Sequence, residues 1–323
     1  MLKKTRVVIE DIQPVINCGE FAVKRVIGEI VTVQAAIFGD GHDIIQAAIQ
    51  YKHQTQKNWK EVRMRPTEND HWQGHFSVEK QGDYSFKIEA WEDHGLNWRH
   101  GIIKKIEDGQ FVKSELLEGA EILKPLLKKC TKQEAVFIKK AIADFTDEDR
   151  MDEACATCTD PYLEEILLKY PHKAVPNESQ EYPVYVDRKK ALFSTWYEFF
   201  PRSASNKAGK HGTFKDCENI LPRIAEMGFD TLYFPPVHPI GEVNRKGKNN
   251  ATDAAPGDVG SPWGIGSKKG GHKDIHPELG NLKDFKNLVK KAQDMGIEVA
   301  MDFALQAAPD HPYVQEHPKW FRW

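Results

Sequence analysis

The stretch from Gly228 to Asp310 constrains this chain most. It opens GFDTLYFPPVHPIGEVNRKGKNN, passes into SPWGIGSKKGGHKDIHPELGNLKDF, and closes GIEVAMDFALQAAPDHP. Two apolar runs, 231–237 and 297–303, read as buried strands around an amphipathic helix at 282–295. A polar insertion from about 238 to 277 follows the first of these strands. That is a βαβ unit with an oversized loop where parallel-sheet proteins place their ligands. Upstream, 191–200 reads as a strand and 214–227 as a helix. Three β units with right-handed helical crossovers suit the opening of a (β/α)8 barrel, and a doubly wound open sheet is the competing topology. No GxGxxG follows the first strand, which disfavours a dinucleotide fold.

A chain of 323 residues allows two or three domains, at roughly 100–200 residues each. Its apolar fraction of 40% is enough to bury real cores. A net charge of −3 is not the basic footprint of a nucleic-acid binder. No apolar run is long enough to span a bilayer, and the apolar stretch in MLKKTRVVIEDIQP is too short for a signal peptide. Five cysteines, an odd and modest number, suit a reducing cytoplasm better than a disulfide framework. Cys155 and Cys158 form one CxxC, but a single pair without nearby histidines does not complete a tetrahedral zinc site. Plain packing is the better reading of that pair.

Residues 1–110 read as β structure, with partial alternation over 31–38, 44–51, 59–64, 71–78 and 83–91. Strands at this spacing predict an antiparallel β-sandwich. Its aromatics Trp59, Trp72, Phe76, Tyr84, Phe86 and Trp91 suit a sandwich core better than a sugar-binding face. Residues 111–172 change to helical spacing over 113–129, 132–143 and 161–169, with Pro125 breaking the first run. They predict a small helical bundle. The Pro-rich stretch 173–188 reads as an extended linker, and 189–323 as the start of the barrel.

In a (β/α)8 barrel, chemistry sits at the C-terminal ends of the strands. Glu198 closes the first strand and Asp302 the third, while His238 and His311 stand beside prolines in the loops. Asp302 suits orienting a substrate hydroxyl, fixing a neighbouring loop, or capping its strand. The two histidines suit proton donation, hydroxyl binding or a purely structural place. The turn from Asn244 to Asn250 combines cations with amides around Gly247. Amides suit sugar hydroxyls and cations suit phosphate or carboxylate. A solvated basic turn is the plainer reading. No pair of carboxylates reads as the nucleophile and acid that retaining glycosyl chemistry needs.

The segments YPVYVDRKKALFSTWYEFFPRS, LPRIAEMGFDTLYFPPVHPIG, NRKGKNN, GSPWGIGS, GGHKDIHPELGNLKDF and VAMDFALQAAPDHPYVQEHPKWF carry a resemblance. Together they resemble the alpha-1,4-glucan:maltose-1-phosphate maltosyltransferase family, within the alpha-amylase superfamily. In DFALQAAPDHP, Gln306 and Asp310-His311 stand where plain amylases carry Asn-His. The resemblance covers about 180–323, and the earlier regions fit the family's accessory domains less specifically. It implies a sandwich, a helical bundle and a catalytic barrel in a cytoplasmic homodimer without metal or cofactor. It also implies retaining transfer of maltosyl units from maltose 1-phosphate to α-1,4-glucan, with release of phosphate. Carried over by residue, Lys246 and Gln306 match donor-sugar contacts and Asn250 a third. The family's catalytic carboxylates are expected downstream of Trp323, so the resemblance implies a truncated chain, inactive by itself. An amylase-type hydrolase or branching enzyme is the alternative within enzymes. A non-catalytic glucan-binding or dimerisation fragment is the alternative outside them.

Overall fold

The computed structural model describes residues 6–323. The signal-peptide reading rests partly on 1–5, which lie outside the described residues. The chain divides into two units, Met1–Lys189 and Lys190–Trp323.

In the first unit, alternating apolar residues build two sheets over one core. The first sheet contains β1 (Val7–Gln13), β3 (Ile30–Gly39), β6 (Arg65–Pro66) and β7 (His71–Ser77), in the order β1-β3-β7-β6. The second runs β2 (Val23–Val26), β10 (Tyr182–Asp187), β8 (Gly82–Asp93), β4 (Ile45–His53) and β5 (Lys60–Arg63), with β9 (Lys173–Glu178) also paired to β8. Val31, Val33, Ala35 and Ile37 of β3 alternate inward and meet Phe86, Ile88 and Ala90 of β8 in a single cluster. This is the period-two pattern of a half-buried strand. Of the six aromatics singled out in the sequence, Trp72, Phe76, Tyr84, Phe86 and Trp91 are buried. Trp59 instead lies beneath Lys52 Nζ, 4.1 Å from its ring centre.

The structure corrects two boundaries. Residues 94–107 are not β but helix α1 (His94–Glu107), which starts without a turn as β8 ends. Asp93 makes this possible, since its carboxylate accepts from the Gly95 and Leu96 amides at 3.1 and 3.2 Å, the standard N-cap arrangement. Nor is 173–188 a free linker. β9 runs antiparallel to β8, while β10 runs antiparallel to β8 and parallel to β2. The sheet's own unpaired edges supply the partners that an isolated extended segment lacks.

Helices α2 (Lys113–Leu123), α3 (Lys132–Thr146), α4 (Met151–Thr159) and α5 (Pro161–Lys169) complete the first unit with α1. They close around Leu116, Leu123, Ile138, Phe145, Leu163 and Ile166. Pro125 ends α2 and opens a short 3-10 turn, as a proline without a donor should. Cys158 is buried in this core and its thiol is pushed up to about 12 by desolvation, which disfavours the thiolate a metal needs.

The second unit contains β11 (Trp196–Glu198), α6 (Phe214–Glu218), α7 (Leu221–Glu226), β12 (Thr231–Phe234), α8 (Leu282–Asp294), β13 (Glu298–Met301) and α9 (Pro312–Glu316). β11, β12 and β13 form a parallel three-stranded sheet in that order. β11 is shorter than the predicted 191–200 strand. The single predicted helix over 214–227 is two helices, because Pro222 at the start of α7 cannot continue α6. β12 stops before Pro235-Pro236, which lack ladder donors. Phe214, Leu221, Ile224, Leu288 and Ala292 pack on Leu232 and Phe234. No helix among the described residues is long and apolar enough to cross a membrane.

Candidate active-site pocket

The insertion after β12 folds into a pocket because Ile265 ties it on both sides. Ile265 forms a bridge with Ile240 after β12 and another with Ala307 after β13. The Gly241 amide donates to Gly264 O at 2.7 Å, and the Ala308 amide to Ile265 O at 2.7 Å. Two loops distant in sequence thus become neighbours on one rim. Between them lies a cavity of about 370 Å³ whose wall includes Lys246, Asn250, Trp263 and Gln306. An adjoining cavity of about 690 Å³ shares Lys246, Asn250 and Trp263. The three candidate ligand contacts therefore line one pocket.

The turn that carries Lys246 and Asn250 is backbone-determined. The Gly247 amide donates to Ala251 O at 2.9 Å, and the Ala251 amide to Lys248 O at 3.1 Å. A Cβ on Gly247 would sit 2.4 Å from Asp253 O. Asn249 and Asn250 hold φ of 53° and 65°, in the left-handed region that asparagine tolerates best after glycine.

Nearby charged groups mostly brace this turn. Arg245 donates from Nε to Gly241 O at 2.8 Å, from Nη2 to Ile240 O at 3.1 Å and from Nη1 to Asp258 O at 3.2 Å. Asp310 accepts from the Glu242 amide at 2.8 Å and the Val243 amide at 3.4 Å. Arg202, whose guanidinium pKa burial lowers, donates to Gly260 O at 2.7 Å. Among the described residues, by contrast, the side chains of Lys246, Asn250 and Gln306 make no hydrogen bond or ion pair. They are among the polar groups of the pocket still available to a ligand.

Asp302 takes the role of fixing a neighbouring loop. Its Oδ2 accepts from Trp263 Nε1 at 2.7 Å, holding the indole against the pocket. Trp263 also packs edge-on against Phe200, with ring centres 5.9 Å apart. Sequence reasoning passed over Trp263. Its signal was an aromatic inside a polar, glycine-rich insertion, where a core residue is not needed. Tyr233, on β12, has its phenol pushed up by burial first and then by Asp302 and Glu198. Both carboxylates thus act on one ring from neighbouring strands.

The candidate histidines are held in defined tautomers. Tyr313 N donates to His311 Nδ1 at 3.0 Å. His311 Nε2–H can then donate to His272 Nδ1 at 3.0 Å, and His272 Nε2–H to Ala304 O at 2.7 Å. Burial lowers the His311 pKa, favouring this neutral relay. Gly266 permits it, since a Cβ there would fall 2.2 Å from the imidazole. His238 is buried, donates from Nδ1 to Asp274 O at 2.9 Å, and is also pushed down by desolvation. Both histidines brace loops in this geometry.

Comparison with known proteins adds the family. The family described as alpha-1,4-glucan:maltose-1-phosphate maltosyltransferase, domain N/S, matches residues 5–188. A protein of Methylacidiphilum infernorum named alpha-1,4-glucan:maltose-1-phosphate maltosyltransferase is 48% identical over 323 residues, covering 99% of this chain and 48% of its own length. One of Myxococcus xanthus with the same name is 44% identical over 324 residues, covering 98% and 49%. The chain spans about half the length of the curated relatives it matches. Among solved structures, an alpha-amylase from Lactobacillus plantarum aligns over 40% of this chain and 27% of its own, at 36% identity and a TM-score of 0.33.

Proposed function

This chain belongs to the alpha-1,4-glucan:maltose-1-phosphate maltosyltransferase family, and from that premise we propose that its pocket is the donor-sugar site of a maltosyl transfer. The complete protein then moves maltosyl units from maltose 1-phosphate to the non-reducing end of an α-1,4-glucan, with retention and release of phosphate. The observation that carries the site assignment is the convergence of Lys246, Asn250 and Gln306, all uncommitted, on one cavity wall. An ammonium and two amides offer the mixture of donors and acceptors that sugar hydroxyls require. Trp263, oriented by Asp302, adds an apolar indole face beside them, as carbohydrate-sized pockets commonly need.

In this reading the paired sheets of the first unit are a β-sandwich carrying a helical bundle, and β11 to β13 are the first strands of a (β/α)8 barrel. The retaining mechanism calls for two carboxylates about 5–5.5 Å apart, and we assign neither to residues 1–323. A cytoplasmic homodimer belongs to the same proposal, and light scattering at micromolar concentration tests the dimer.

The enzymatic test uses the complete protein with maltose 1-phosphate. Phosphate release that depends on added α-glucan is the expected result. Reducing sugar released from starch, with no phosphate from maltose 1-phosphate, makes the protein a hydrolase and overturns the assignment. Binding of starch without either reaction makes it a glucan-binding protein and overturns it equally.

A further inference from the structure

A second cluster in the same unit, made of different residues, has a different chemistry. His211 lies just before the Thr213 cap of α6, and His276 and Glu278 lie in the turn before the Asn281 cap of α8. Each of the three offers one ligand atom within 4.8 Å of the other two. His276 is 8% exposed. Its Nδ1 is buried without a hydrogen-bond partner, and its Nε2 faces the Glu278 carboxylate at 3.6 Å, too far for a hydrogen bond. A buried imidazole with neither nitrogen satisfied is uncommon and calls for an explanation such as a bound ion.

His211 supplies the complementary half. Its Nδ1 lies 2.8 Å from Gly212 O, so Nδ1 carries the proton and Nε2 presents a lone pair. That is how metal-bound histidines are usually oriented. The two rings stand at 85° with centres 5.7 Å apart, so their edges converge without stacking. A cavity of about 20 Å³ lined by both histidines has room for roughly one water.

We propose that His211, His276 and Glu278 form a site for a divalent transition metal of the zinc class, clipping together the segments that enter α6 and α8. Two imidazoles and one carboxylate are a known zinc donor set that leaves a fourth position for solvent. At metal–ligand bonds of about 2.0–2.1 Å, a tetrahedral centre places its ligand atoms about 3.4 Å apart. The His276–Glu278 separation of 3.6 Å already meets this. The other two separations, within 4.8 Å, close by rotation of the exposed Glu278 and a small shift of the segment carrying His211, whose bond to Gly212 O is kept.

The test uses Zn²⁺ alone with the complete, chelator-stripped protein. Calorimetric titration should show one saturable Zn²⁺ at this site per chain, and Zn²⁺ should raise the melting temperature. His211→Ala and Glu278→Ala should each weaken binding by at least about tenfold, the scale on which even outer partners of a metal act. Both should keep the far-UV circular dichroism of the parent, since neither fills the core. Co²⁺ should give the strong visible bands of a four-coordinate centre in the parent and lose them in His211→Ala. No saturable Zn²⁺ in the parent, or unchanged affinity and Co²⁺ spectrum in both variants, overturns the proposal. Neither readout involves maltosyl transfer, so its failure and that of the donor-site reading are separable.

Discussion

In the 6–189 region many charged side chains are satisfied by other side chains, whereas around the 190–323 pocket Arg245, Arg202 and Asp310 are satisfied by backbone. Asp144, fully buried, pairs with Lys140 at 2.6 Å and Arg150 at 2.7 Å. Glu134 accepts from Lys169 at 2.7 Å and Tyr170 at 2.9 Å. Around the pocket, Arg245 holds three carbonyls, Arg202 holds one, and Asp310 holds two amides. The first pattern ties one element to another. The second fixes the course of a long irregular loop, which has no ladder of its own to satisfy its backbone. A loop braced from its flanks leaves Lys246, Asn250 and Gln306 ready for something other than the protein. Binding groups held in place before the ligand arrives lose less entropy on binding.

The contrast makes substitutions in the two regions fail differently. Phe86 is fully buried in the two-sheet core. Phe86→Ala should destabilise the protein by about 3–5 kcal/mol, the usual cost of emptying such a site, read as a lower urea midpoint. A loss under about 1 kcal/mol would mean that this core repacks freely and is not what holds the region together. Lys246→Ala should do the reverse. In the complete protein it should cut kcat/KM for maltose 1-phosphate roughly 10- to 150-fold, the equivalent of one hydrogen bond to a charged group, with the melting temperature unchanged. Gln306→Ala should cost less, roughly 2- to 13-fold, since a neutral amide bond is weaker. If either pocket variant melts several degrees lower, its side chain is part of the loop's bracing and the contrast between regions breaks down.

Much of the pocket was legible before the structure because its signals are local. The apolar runs of β12 and β13 and the stripe of α8 name their elements by period alone. The turn around Gly247 announces itself through glycine and left-handed asparagines. The bracing was not legible, because it depends on pairings between residues such as Glu242 and Asp310, 68 positions apart. Ile265 looked like any apolar residue in a loop, yet it joins the two halves of the rim. In the first region, the five runs with alternation correspond to β3, β4, β5, β7 and β8. β10 was hidden by Pro183 and by polar neighbours, and its parallel partner β2 is 161 residues away, Val184 pairing with Val23. Helix α1 was hidden because Asp93 ends a strand and caps a helix in one residue, leaving no loop to mark the change.

The smallest effect concerns Glu134, and it tests the side-chain pairing of the first region by pH alone. Its carboxyl pKa is lowered from 4.5 to about 2, chiefly by the hydrogen bond from Lys169 and then by the Thr131 amide. A carboxyl depressed in the folded state binds protons more readily when unfolded, so it adds stability where it is ionised in both states. That contribution is complete above the unfolded value of 4.5 and disappears as pH falls through the folded value of about 2. Glu134→Gln keeps an oxygen for the Thr131 amide, so the cap of α3 survives in part, while the charge that Lys169 reads is gone. The melting temperature of the parent should therefore fall more steeply than that of Glu134→Gln between about pH 4.5 and 2. The parent should be the more stable of the two at pH 7, and the curves should converge near pH 2. Lys169 stays protonated throughout this window, its own pKa being raised by Glu134, so it does not confuse the slope. Parallel curves from pH 7 to 2 would show that Glu134 and Lys169 meet in the structure without contributing to its stability.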